Sequence, residues 1–280
     1  MYTIKDKILL APGIKMFMID APSIAQKAKP GQFVIVRKDE YGERIPLTIA
    51  DSDKREGTIT IIFQEVGRST QDLGKMEVGD MILDLVGPLG RESEIDFYGT
   101  VICVGGGVGV APIYPITRAL HMKGNRIISI IGARSADYLI WLDKMDEVSD
   151  EFYVTTDDGS YGRKGFVTEV LTEIMDKEEI NMVMAIGPIQ MMEAVSRITK
   201  EKGIKTLVSL NPIMLDGTGM CGACRVQIGD EVKFACVDGP EFDGHLVDWE
   251  NAKRRLKMFE REEKIALTSL GCRCCQGGEK

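Results

Sequence analysis

The chain has 280 residues, of which 44% are hydrophobic and 28% are charged, the balance of a globular protein large enough for two or three domains. Its formal net charge is −8 and its pI is near 5.1, which argues against nucleic acid as a partner because phosphate binding favours a basic face. No apolar run reaches the roughly 18 residues needed to span a bilayer, and the charged start Met1–Lys7 lacks the apolar segment of a signal peptide. We therefore expect a cytoplasmic protein with no membrane segment.

Residues 1–97 contain short strand-like runs that are separated by turn residues and show little helical periodicity. One helical turn is expected, at Ser69–Lys75. Many short strands at this spacing predict a small antiparallel barrel as the first domain. The predicted strands are Tyr2–Leu10, Ile14–Asp20, Gln32–Arg37, Leu47–Asp51, Thr58–Gln64 and Met81–Val86.

Between residues 98 and 210, strand-like and helical stretches alternate. This alternation is typical of a doubly wound α/β domain with a parallel sheet. The predicted strands are Thr100–Val104, Arg126–Ile131, Phe152–Thr156, Met182–Ile186 and Thr206–Leu210. The predicted helices cover about residues 111–122, 136–147, 165–176 and 189–202.

A glycine run follows the first strand of this domain and precedes its first helix, because residues 101–112 read VICVGGGVGVAP. Glycines lack a Cβ, so backbone N–H groups can approach a pyrophosphate, and the helix N-terminus adds favourable partial charge. A tight turn without a ligand is the alternative, but the order strand, loop, helix favours a dinucleotide site. The candidate residues in this run are Gly106, Gly107, Gly109, Ala111 and Pro112.

Later strands of the α/β domain end in residues that extend this site. Gly132, Ala133 and Arg134 close the second strand, and Gly187 and Pro188 follow the fourth. Ligands of open parallel sheets bind at those strand ends. We expect all five residues to contact the nicotinamide dinucleotide.

The loop after the third strand carries two acidic residues, Asp157 and Asp158. If this loop faces the adenosine ribose, either carboxylate accepts hydrogen bonds from its hydroxyls and repels a 2′-phosphate. Arg163 and Lys164 follow closely and favour the opposite preference, and a solvated loop is the other alternative. We expect NAD(H) rather than NADP(H).

Six of the seven cysteines lie after residue 220, in a cytoplasmic chain where such clustering indicates a metal or redox centre. Cys221 and Cys224 form a Cys-x-x-Cys pair in a glycine-rich loop, and Cys236 follows. A structural zinc ion is the alternative ligand of these cysteines. The attached nicotinamide module favours electron transfer, so we expect a [2Fe–2S] cluster in residues 211–247. Cys103, within an apolar run, is expected to be a buried core residue.

Residues 248–280 form the last predicted region. A charged helix is expected at about Asp248–Lys264, where an apolar stripe favours docking onto the body of the protein. It is followed by a tail with Cys272, Cys274 and Cys275, which are competing candidates for a fourth cluster ligand or spare thiols at a terminus.

Taken in order, residues 1–210 resemble the ferredoxin–NADP reductase superfamily, in which a flavin-binding barrel precedes a nicotinamide domain. The resemblance is carried by Arg44-Ile-Pro-Leu-Thr48, Val66-Gly-Arg-Ser-Thr70, the glycine run and Gly187-Pro188. Members often carry an arginine immediately before the proline, whereas here that arginine is one position earlier. The resemblance implies FAD bound by Arg44, Pro46, Leu47, Thr48, Val66, Gly67, Ser69 and Thr70.

With the cysteine segment added, the chain resembles two related families. One is the electron-transfer subunit of NAD-dependent dihydroorotate dehydrogenase, which has a first cysteine five residues before the Cys-x-x-Cys pair. The other is the small subunit of the electron-bifurcating NADH-dependent reduced ferredoxin:NADP+ oxidoreductase, which has an aspartate there. Asp216 is that residue here, so the second family resembles the chain better. The implied ligands are Asp216, Cys221, Cys224 and Cys236.

The second resemblance implies a larger partner subunit with flavin and [4Fe–4S] clusters that handles NADPH and ferredoxin. The flavin subunit of a sulfide dehydrogenase or a hydrogenase is a further alternative, and a zinc-stabilised assembly module is the non-enzyme alternative. The chain has two histidines, His121 and His245, and we expect no catalytic side chain, because cofactors carry this chemistry.

Overall fold

The computed structural model describes residues 1–268, so Cys272, Cys274 and Cys275 lie outside the described residues. Within this part of the chain, no helix is both long enough and apolar enough to cross a membrane. The described residues form two seven-stranded sheets and a small hairpin, which share three hydrophobic cores.

The first sheet is antiparallel and curls into a near-barrel. Its strand order is β6-β1-β2-β5-β4-β3-β7. Strands β6 and β7 are at opposite ends of this order, yet Leu83 alone separates them in the chain, so the two edges of the sheet must meet. The strands are β1 Tyr2–Ala11, β2 Ile14–Asp20, β3 Phe33–Arg37, β4 Arg44–Asp53, β5 Thr58–Gln64, β6 Met81–Ile82 and β7 Asp84–Leu89, with helices α1 Pro22–Ala25 and α2 Arg68–Gly74.

The predicted antiparallel barrel is therefore confirmed, with one local difference. The single strand expected at Met81–Val86 is two strands, because the chain passes from one edge of the sheet to the other at Leu83, whose N–H donates to the carbonyl of Lys38. Inside the barrel, Phe17 and Phe63 pack edge to face with their ring centroids 5.1 Å apart.

The second sheet has the order β11-β10-β9-β8-β12-β13-β16 and is parallel except at the β16 edge. From the central strand β8, the chain first builds β9 and β10 on one side and then β12 and β13 on the other. The predicted doubly wound domain is confirmed, and its topological switch point lies between β8 and β12. Its elements are β8 Thr100–Gly106, α3 Val110–Met122, β9 Arg126–Ala133, α4 Leu142–Asp146, β10 Glu151–Thr156, β11 Arg163–Lys164, α5 Val167–Lys177, β12 Met182–Ile186, α6 Ile189–Glu201 and β13 Lys205–Ser209.

The helix expected over residues 136–147 is wrong in extent. A 3₁₀ turn at Ala136–Tyr138 precedes the short α4, and between them Trp141 has a left-handed φ of 53°. A non-glycine residue in that conformation cannot continue a right-handed helix, so the pattern is broken there.

The C-terminal elements pack against both sheets. They are the hairpin β14 Arg225–Ile228 and β15 Glu231–Phe234, the edge strand β16 Glu241–Asp243, and helices α7 Trp249–Leu256 and α8 Glu260–Thr268. The single helix expected at Asp248–Lys264 is thus two helices, because i→i+3 bonds to the carbonyls of Arg255 and Lys257 replace the helical pattern between them. One hydrophobic core joins Phe33 and Ile35 of the barrel to Cys224 and Cys236 and to the α/β sheet.

Candidate functional site

The glycines at the switch point let two strand ends approach each other. A Cβ on Gly109 would lie 2.3 Å from the carbonyl oxygen of Ile186, and one on Gly187 would lie 3.0 Å from Gly106 Cα. A Cβ on Gly106 would also meet Pro188 Cδ at 2.9 Å. The distances at Gly109 and Gly106 are shorter than real Cβ contacts and the one at Gly187 is at their limit, so this close approach of the ends of β8 and β12 requires glycine.

Gly107 has a different role from its neighbours. Its φ is +55°, and a Cβ there would meet nothing within 4 Å, so the backbone faces open space. The next helix, α3, begins at Val110 without a side-chain cap, and Pro112 is in its first turn. No side chain caps this helix start, so the positive end of the helix dipole is open to an anionic group, and Ala111 is buried behind it.

The ends of β9 and β10 continue the same edge of the sheet. Gly132 and Ala133 are the last residues of β9, and a Cβ on Gly132 would lie 2.5 Å from Val167 Cγ1. Arg134 follows, with its guanidinium 4.5 Å from the ring centroid of Tyr138, so this cation is held beside the sheet edge. The carbonyl of Ala133 accepts a hydrogen bond from the Asp157 N–H.

The two acidic candidates in the loop after β10 differ in their hydrogen bonds. Asp158 accepts hydrogen bonds from the N–H and the hydroxyl of Ser160, and these bonds lower the pKa of its carboxyl. Ser160 in turn accepts from the Ala136 N–H, so Asp158 builds the loop. Asp157 is exposed, and no hydrogen bond to its side chain occurs within the described residues, which leaves its carboxylate available to a ribose.

Arg163 does not compete with these carboxylates. Its guanidinium pairs with Glu173 at 2.6 Å and with Glu169 at 3.6 Å, and the Glu173 hydrogen bond raises the pKa of the arginine. An arginine that is already paired with two carboxylates is a poor receptor for a 2′-phosphate. The geometry therefore favours NAD(H), as the sequence predicts.

On the barrel, strand β4 presents three of the flavin candidates on one face. Because side chains alternate along a strand, Arg44, Pro46 and Thr48 share one face, and Ile45 and Leu47 share the other. Ile45 and Leu47 pack against the barrel core. The side chain of Leu47 is therefore directed away from a flavin on the opposite face, whereas Arg44 is in register with Pro46 despite its shifted position.

The start of α2 carries the remaining flavin candidates. Val66 is 68% exposed, and Gly67 precedes the helix with its N–H bonded to the Thr70 hydroxyl at 3.1 Å. The hydroxyl of Ser69 donates to the carboxylate of Glu43, so this hydroxyl is already paired. The structure brings Val66, Gly67, Ser69 and Thr70 together at one end of the barrel.

Asp216 organises the loop that leads to the first cysteine. One of its carboxylate oxygens accepts from the Thr218 N–H at 2.9 Å and the other from the Cys221 N–H at 2.8 Å. The Thr218 bond, followed by the Cys221 bonds, lowers the pKa of the Asp216 carboxyl, so it is ionised at neutral pH. The loop turns at Gly217, Gly219 and Gly222, all with positive φ.

The other two cysteines form a buried pair. Cys224 and Cys236 have their Sγ atoms 3.1 Å apart, and burial raises the pKa of the Cys236 thiol. Within residues 1–268, no three His, Cys, Asp or Glu side chains converge as a site for a single ion does. The four candidates instead form two neighbouring pairs, Asp216 with Cys221 and Cys224 with Cys236, which fits a two-iron cluster with two ligands per iron.

Sequence reasoning missed one residue beside this loop. Arg255, in α7, donates a hydrogen bond to the carbonyl of Ala223 at 2.9 Å. No motif or local spacing signals this contact, because the two residues are brought together by the docking of α7 onto the β14–β15 hairpin.

Comparisons with known proteins agree with this geometry. A family model of the iron–sulfur cluster binding domain of dihydroorotate dehydrogenase B matches residues 211–248, and one of the oxidoreductase NAD-binding domain matches residues 103–197. The chain is 48% identical over 263 residues to the Thermotoga maritima homolog of the dihydroorotate dehydrogenase B (NAD+) electron transfer subunit, covering 94% of this chain and 93% of the relative. It is 33% identical over 244 residues to that subunit of Bacillus cereus, covering 83% and 92%.

Two solved structures are also similar. A chain of the NADH-dependent reduced ferredoxin-NADP oxidoreductase, whose structure was reported for insights into flavin-based electron bifurcation, superposes with a TM-score of 0.91 at 47% identity over 96% of this chain and 97% of that one. Phthalate dioxygenase reductase superposes with a TM-score of 0.59 at 18% identity over 81% and 85%, which shows a shared fold.

The fold and these sites define an oxidoreductase of the ferredoxin–NADP reductase type, with a barrel, a nicotinamide domain and an iron–sulfur segment. The chain belongs to the family of the dihydroorotate dehydrogenase B electron transfer subunits. The predicted cofactors, FAD, NAD(H) and a [2Fe–2S] cluster, are confirmed, as is the family resemblance. Its relatives are electron transfer subunits of larger complexes, which is consistent with a heteromeric partner for this chain.

Proposed function

We propose that this chain is the small subunit of a flavin-based electron-bifurcating transhydrogenase, which moves electrons between NAD(H), FAD and a [2Fe–2S] cluster. The observation that carries this proposal is the 47% identity and TM-score of 0.91, over nearly the full length of both chains, to the NADH-dependent reduced ferredoxin-NADP oxidoreductase. When bound, the cofactors supply hydride transfer between nicotinamide and flavin and single-electron transfer through the cluster.

In this proposal the nicotinamide dinucleotide binds at the switch point between β8 and β12. The N–H groups around Gly107 and the start of α3 hold its pyrophosphate, and Gly106, Gly109 and Gly187 keep the strand ends close enough to form the floor of the site. Asp157 accepts hydrogen bonds from the adenosine ribose. The same site includes Ala111, Pro112, Gly132, Ala133, Arg134 and Pro188.

The flavin binds on the outer face of β4 and at the start of α2. Pro46 and Thr48 contact the flavin ring and the ribityl chain, and Arg44, on the same face, supplies positive charge for the phosphates. Leu47 contributes through its backbone, because its side chain packs into the barrel core. Val66, Gly67, Ser69 and Thr70 complete this site, and Ser69 must exchange its bond to Glu43 to take part.

The cluster ligands are Asp216, Cys221, Cys224 and Cys236. Three thiolates and one carboxylate are a chemically acceptable donor set for iron, and the carboxylate is the harder donor. The ionised state of Asp216 suits this role, since a metal ligand must be deprotonated. The buried Cys224–Cys236 pair must release its protons when the cluster is inserted.

The proposed organisation is a flavin domain at residues 1–97, a nicotinamide domain at 98–210, a cluster segment at 211–247 and a C-terminal region at 248–280. The proposed location of this chain is the cytoplasm, and the proposed partner is a larger flavin and [4Fe–4S] subunit that exchanges electrons with NADPH and ferredoxin. Cys221 is exposed whereas Cys224 and Cys236 are buried, so the Cys221 side of the loop is the side open to a partner.

A second candidate function is that of an electron transfer subunit of NAD-dependent dihydroorotate dehydrogenase. It is favoured by the curated relatives that carry this name at 33% to 48% identity. Asp216 argues against this candidate, because members of that family have four cysteine ligands, and one of them occupies the position of Asp216.

The test is anaerobic purification of this chain from its native cells, followed by identification of the co-purifying subunit. The proposal predicts a large subunit with [4Fe–4S] motifs and binding of NADPH and ferredoxin by the complex. A partner that oxidises dihydroorotate would overturn the proposal in favour of the second candidate, and a colourless protein that contains zinc would overturn both.

A further inference from the structure

Two arginines hold the turn between the cysteines of the Cys-x-x-Cys pair. Arg225, the first residue of β14, donates to the carbonyl of Gly222 at 2.9 Å. Arg255 of α7 donates to the carbonyl of Ala223, also at 2.9 Å. Gly222 and Ala223 are the two residues between Cys221 and Cys224, so a guanidinium group binds each carbonyl of the turn.

These bonds orient the amide groups on the other side of the turn. In a trans peptide unit the C=O and N–H groups point in opposite directions. The carbonyl of Gly222 shares its peptide unit with the N–H of Ala223, which points towards Cys221 Sγ at 3.5 Å. By the same geometry, a bond from Arg255 to the Ala223 carbonyl directs the N–H of Cys224 to the opposite side. Amide donors that face cluster sulfurs raise the reduction potential of the cluster.

Arg255 differs from Arg225 in its surroundings. Arg225 is exposed, whereas Arg255 is half-buried, and its Nε atom is buried with no hydrogen-bond partner among the described residues. Nor does any carboxylate in residues 1–268 form an ion pair with it. An unpaired buried donor of this kind is unfavourable, and a nearby negative charge would offset that cost.

The neighbouring thiol indicates where that charge arises. Burial lowers the pKa of the Arg255 guanidinium, the charge of Arg225 lowers it further, and Cys224 opposes both effects. Cys224 is one of the proposed cluster ligands, and a cluster with its thiolates is anionic. The guanidinium therefore binds the carbonyl side of the turn, close enough to Cys224 for the charges of the two groups to interact.

The position of Arg255 is fixed by the docking of α7. Asp248 caps the helix by accepting from the Asn251 N–H at 2.9 Å, and Trp249 Nε1 donates to the carbonyl of Gly244 at 3.2 Å. Lys253 bonds Glu193 of α6 at 3.3 Å. The guanidinium of Arg255 thus projects from a capped helix that Trp249 and Lys253 join to the rest of the protein.

We propose that Arg255 is a positioning residue of the iron–sulfur site, which holds the Ala223 carbonyl and places a positive charge beside Cys224 to favour the reduced cluster. The inference rests on the cluster site proposed above. A cation stabilises the more negative, reduced state more than the oxidised state, so it raises the midpoint potential.

The test uses three variants of the full chain: Arg255→Gln, Arg255→Lys and Arg254→Gln. Arg254 is the matched control, since it is the neighbouring arginine on the same helix and is exposed. Each purified protein is titrated anaerobically while the reduced cluster is followed by electron paramagnetic resonance, and its iron content per flavin is measured. We expect the midpoint potential of Arg255→Gln to shift to more negative values than those of wild type and Arg254→Gln. Arg255→Lys keeps the positive charge, so its midpoint potential should lie close to that of wild type.

The outcomes separate this inference from the proposed function. A potential in Arg255→Gln equal to that in Arg254→Gln would overturn the role of Arg255 alone. Loss of iron from Arg255→Gln with flavin retained, and recovery of iron in Arg255→Lys, would support it. Loss of both flavin and iron from both Arg255 variants would overturn it in favour of a role in folding. A wild-type protein without iron would overturn the cluster site itself.

Discussion

The nicotinamide loop and the cluster loop are both glycine-rich, but they are held in different ways. At Gly106 and Gly109, glycine is required because the end of β8 and the residues at the end of β12 approach within side-chain distance, as Gly109 and Ile186 illustrate. In residues 216–224, the glycines provide turns with positive φ, and the loop is shaped by hydrogen bonds that Asp216 accepts and that Arg255 donates. The conformation of the first loop is determined by the close approach of the strands, and that of the second by side-chain hydrogen bonds.

This difference determines how each site responds to change. The nicotinamide loop belongs to a buried parallel sheet, so a substitution there should disturb folding and binding together. The cluster loop is partly exposed and enters the shared hydrophobic core through Cys224, so a substitution in its exposed part should change the cluster while the two large domains stay intact. The predictions below test this contrast, beginning with the largest effect.

The largest effect is expected from Cys236→Ser. It should abolish the visible absorption and the paramagnetic resonance signal of the cluster, because the buried Cys224–Cys236 pair loses one thiolate. Reduction of the flavin by NADH should persist. The control is Cys103→Ala, since Cys103 is buried in β8, where burial raises its pKa to about 12, and it should leave the cluster in place. Retention of a normal cluster in Cys236→Ser would remove Cys236 from the ligand set.

In the nicotinamide loop, Gly109→Ala should destabilise the protein by about 3 kcal/mol and weaken NADH binding, because the new Cβ would lie 2.3 Å from a backbone oxygen. Its matched control is Gly107→Ala. In the protein without ligand that residue faces open space, so the substitution should lower the free energy of unfolding only through the left-handed conformation, by about 1–2 kcal/mol. Urea unfolding and NADH titration measure both effects. Equal destabilisation by the two variants would contradict the close approach of β8 and β12.

Asp216→Ala should reduce cluster loading or shift its potential, since it removes both a proposed ligand and the acceptor for the Cys221 N–H. Flavin reduction by NADH should be unchanged. Asp230→Ala, in the turn between β14 and β15, removes an exposed carboxylate from the same segment and should alter neither. An unaltered cluster in Asp216→Ala would make the cysteines after residue 271 the candidates for the fourth ligand.

The smallest effect is expected from Asp157→Ala. Removing the carboxylate should lower the preference for NADH over NADPH by about tenfold, equivalent to about 1.4 kcal/mol, because a ribose acceptor and a repulsive charge are both lost. Stopped-flow reduction of the flavin by each dinucleotide measures the ratio. An unchanged ratio would show that this loop does not contact the ribose.

The sequence predicts the sheets and the glycine loop well because their signals are local. Strand alternation and the run Gly105–Gly109 each lie within a few neighbouring residues. The breaks at Leu83, at Trp141 and between α7 and α8 were not predictable, since they arise where tertiary packing overrides a continuous pattern. The contact of Arg255 with Ala223 was missed for the same reason: it joins a helix to a loop across 32 positions.

The alternation of side chains along β4 shows which flavin candidates share a face, and motif matching does not show this. Arg44 is one position away from the expected arginine, yet the alternation of β4 gives it the same face as Pro46 and Thr48. The same alternation removes the Leu47 side chain from that face. Similarly, the sequence does not distinguish Asp157 from Asp158 as the ribose ligand. The structure does, because Ser160 donates two hydrogen bonds to Asp158.

The central claim, that this chain serves a bifurcating complex, is tested most directly by the acceptor dependence of the anaerobically purified complex. The proposal predicts that NADPH is oxidised only when NAD+ and oxidised ferredoxin are supplied together, because the two electron paths are coupled through one flavin. Oxidation of NADPH with either acceptor alone, or reduction of NAD+ by dihydroorotate, would contradict it.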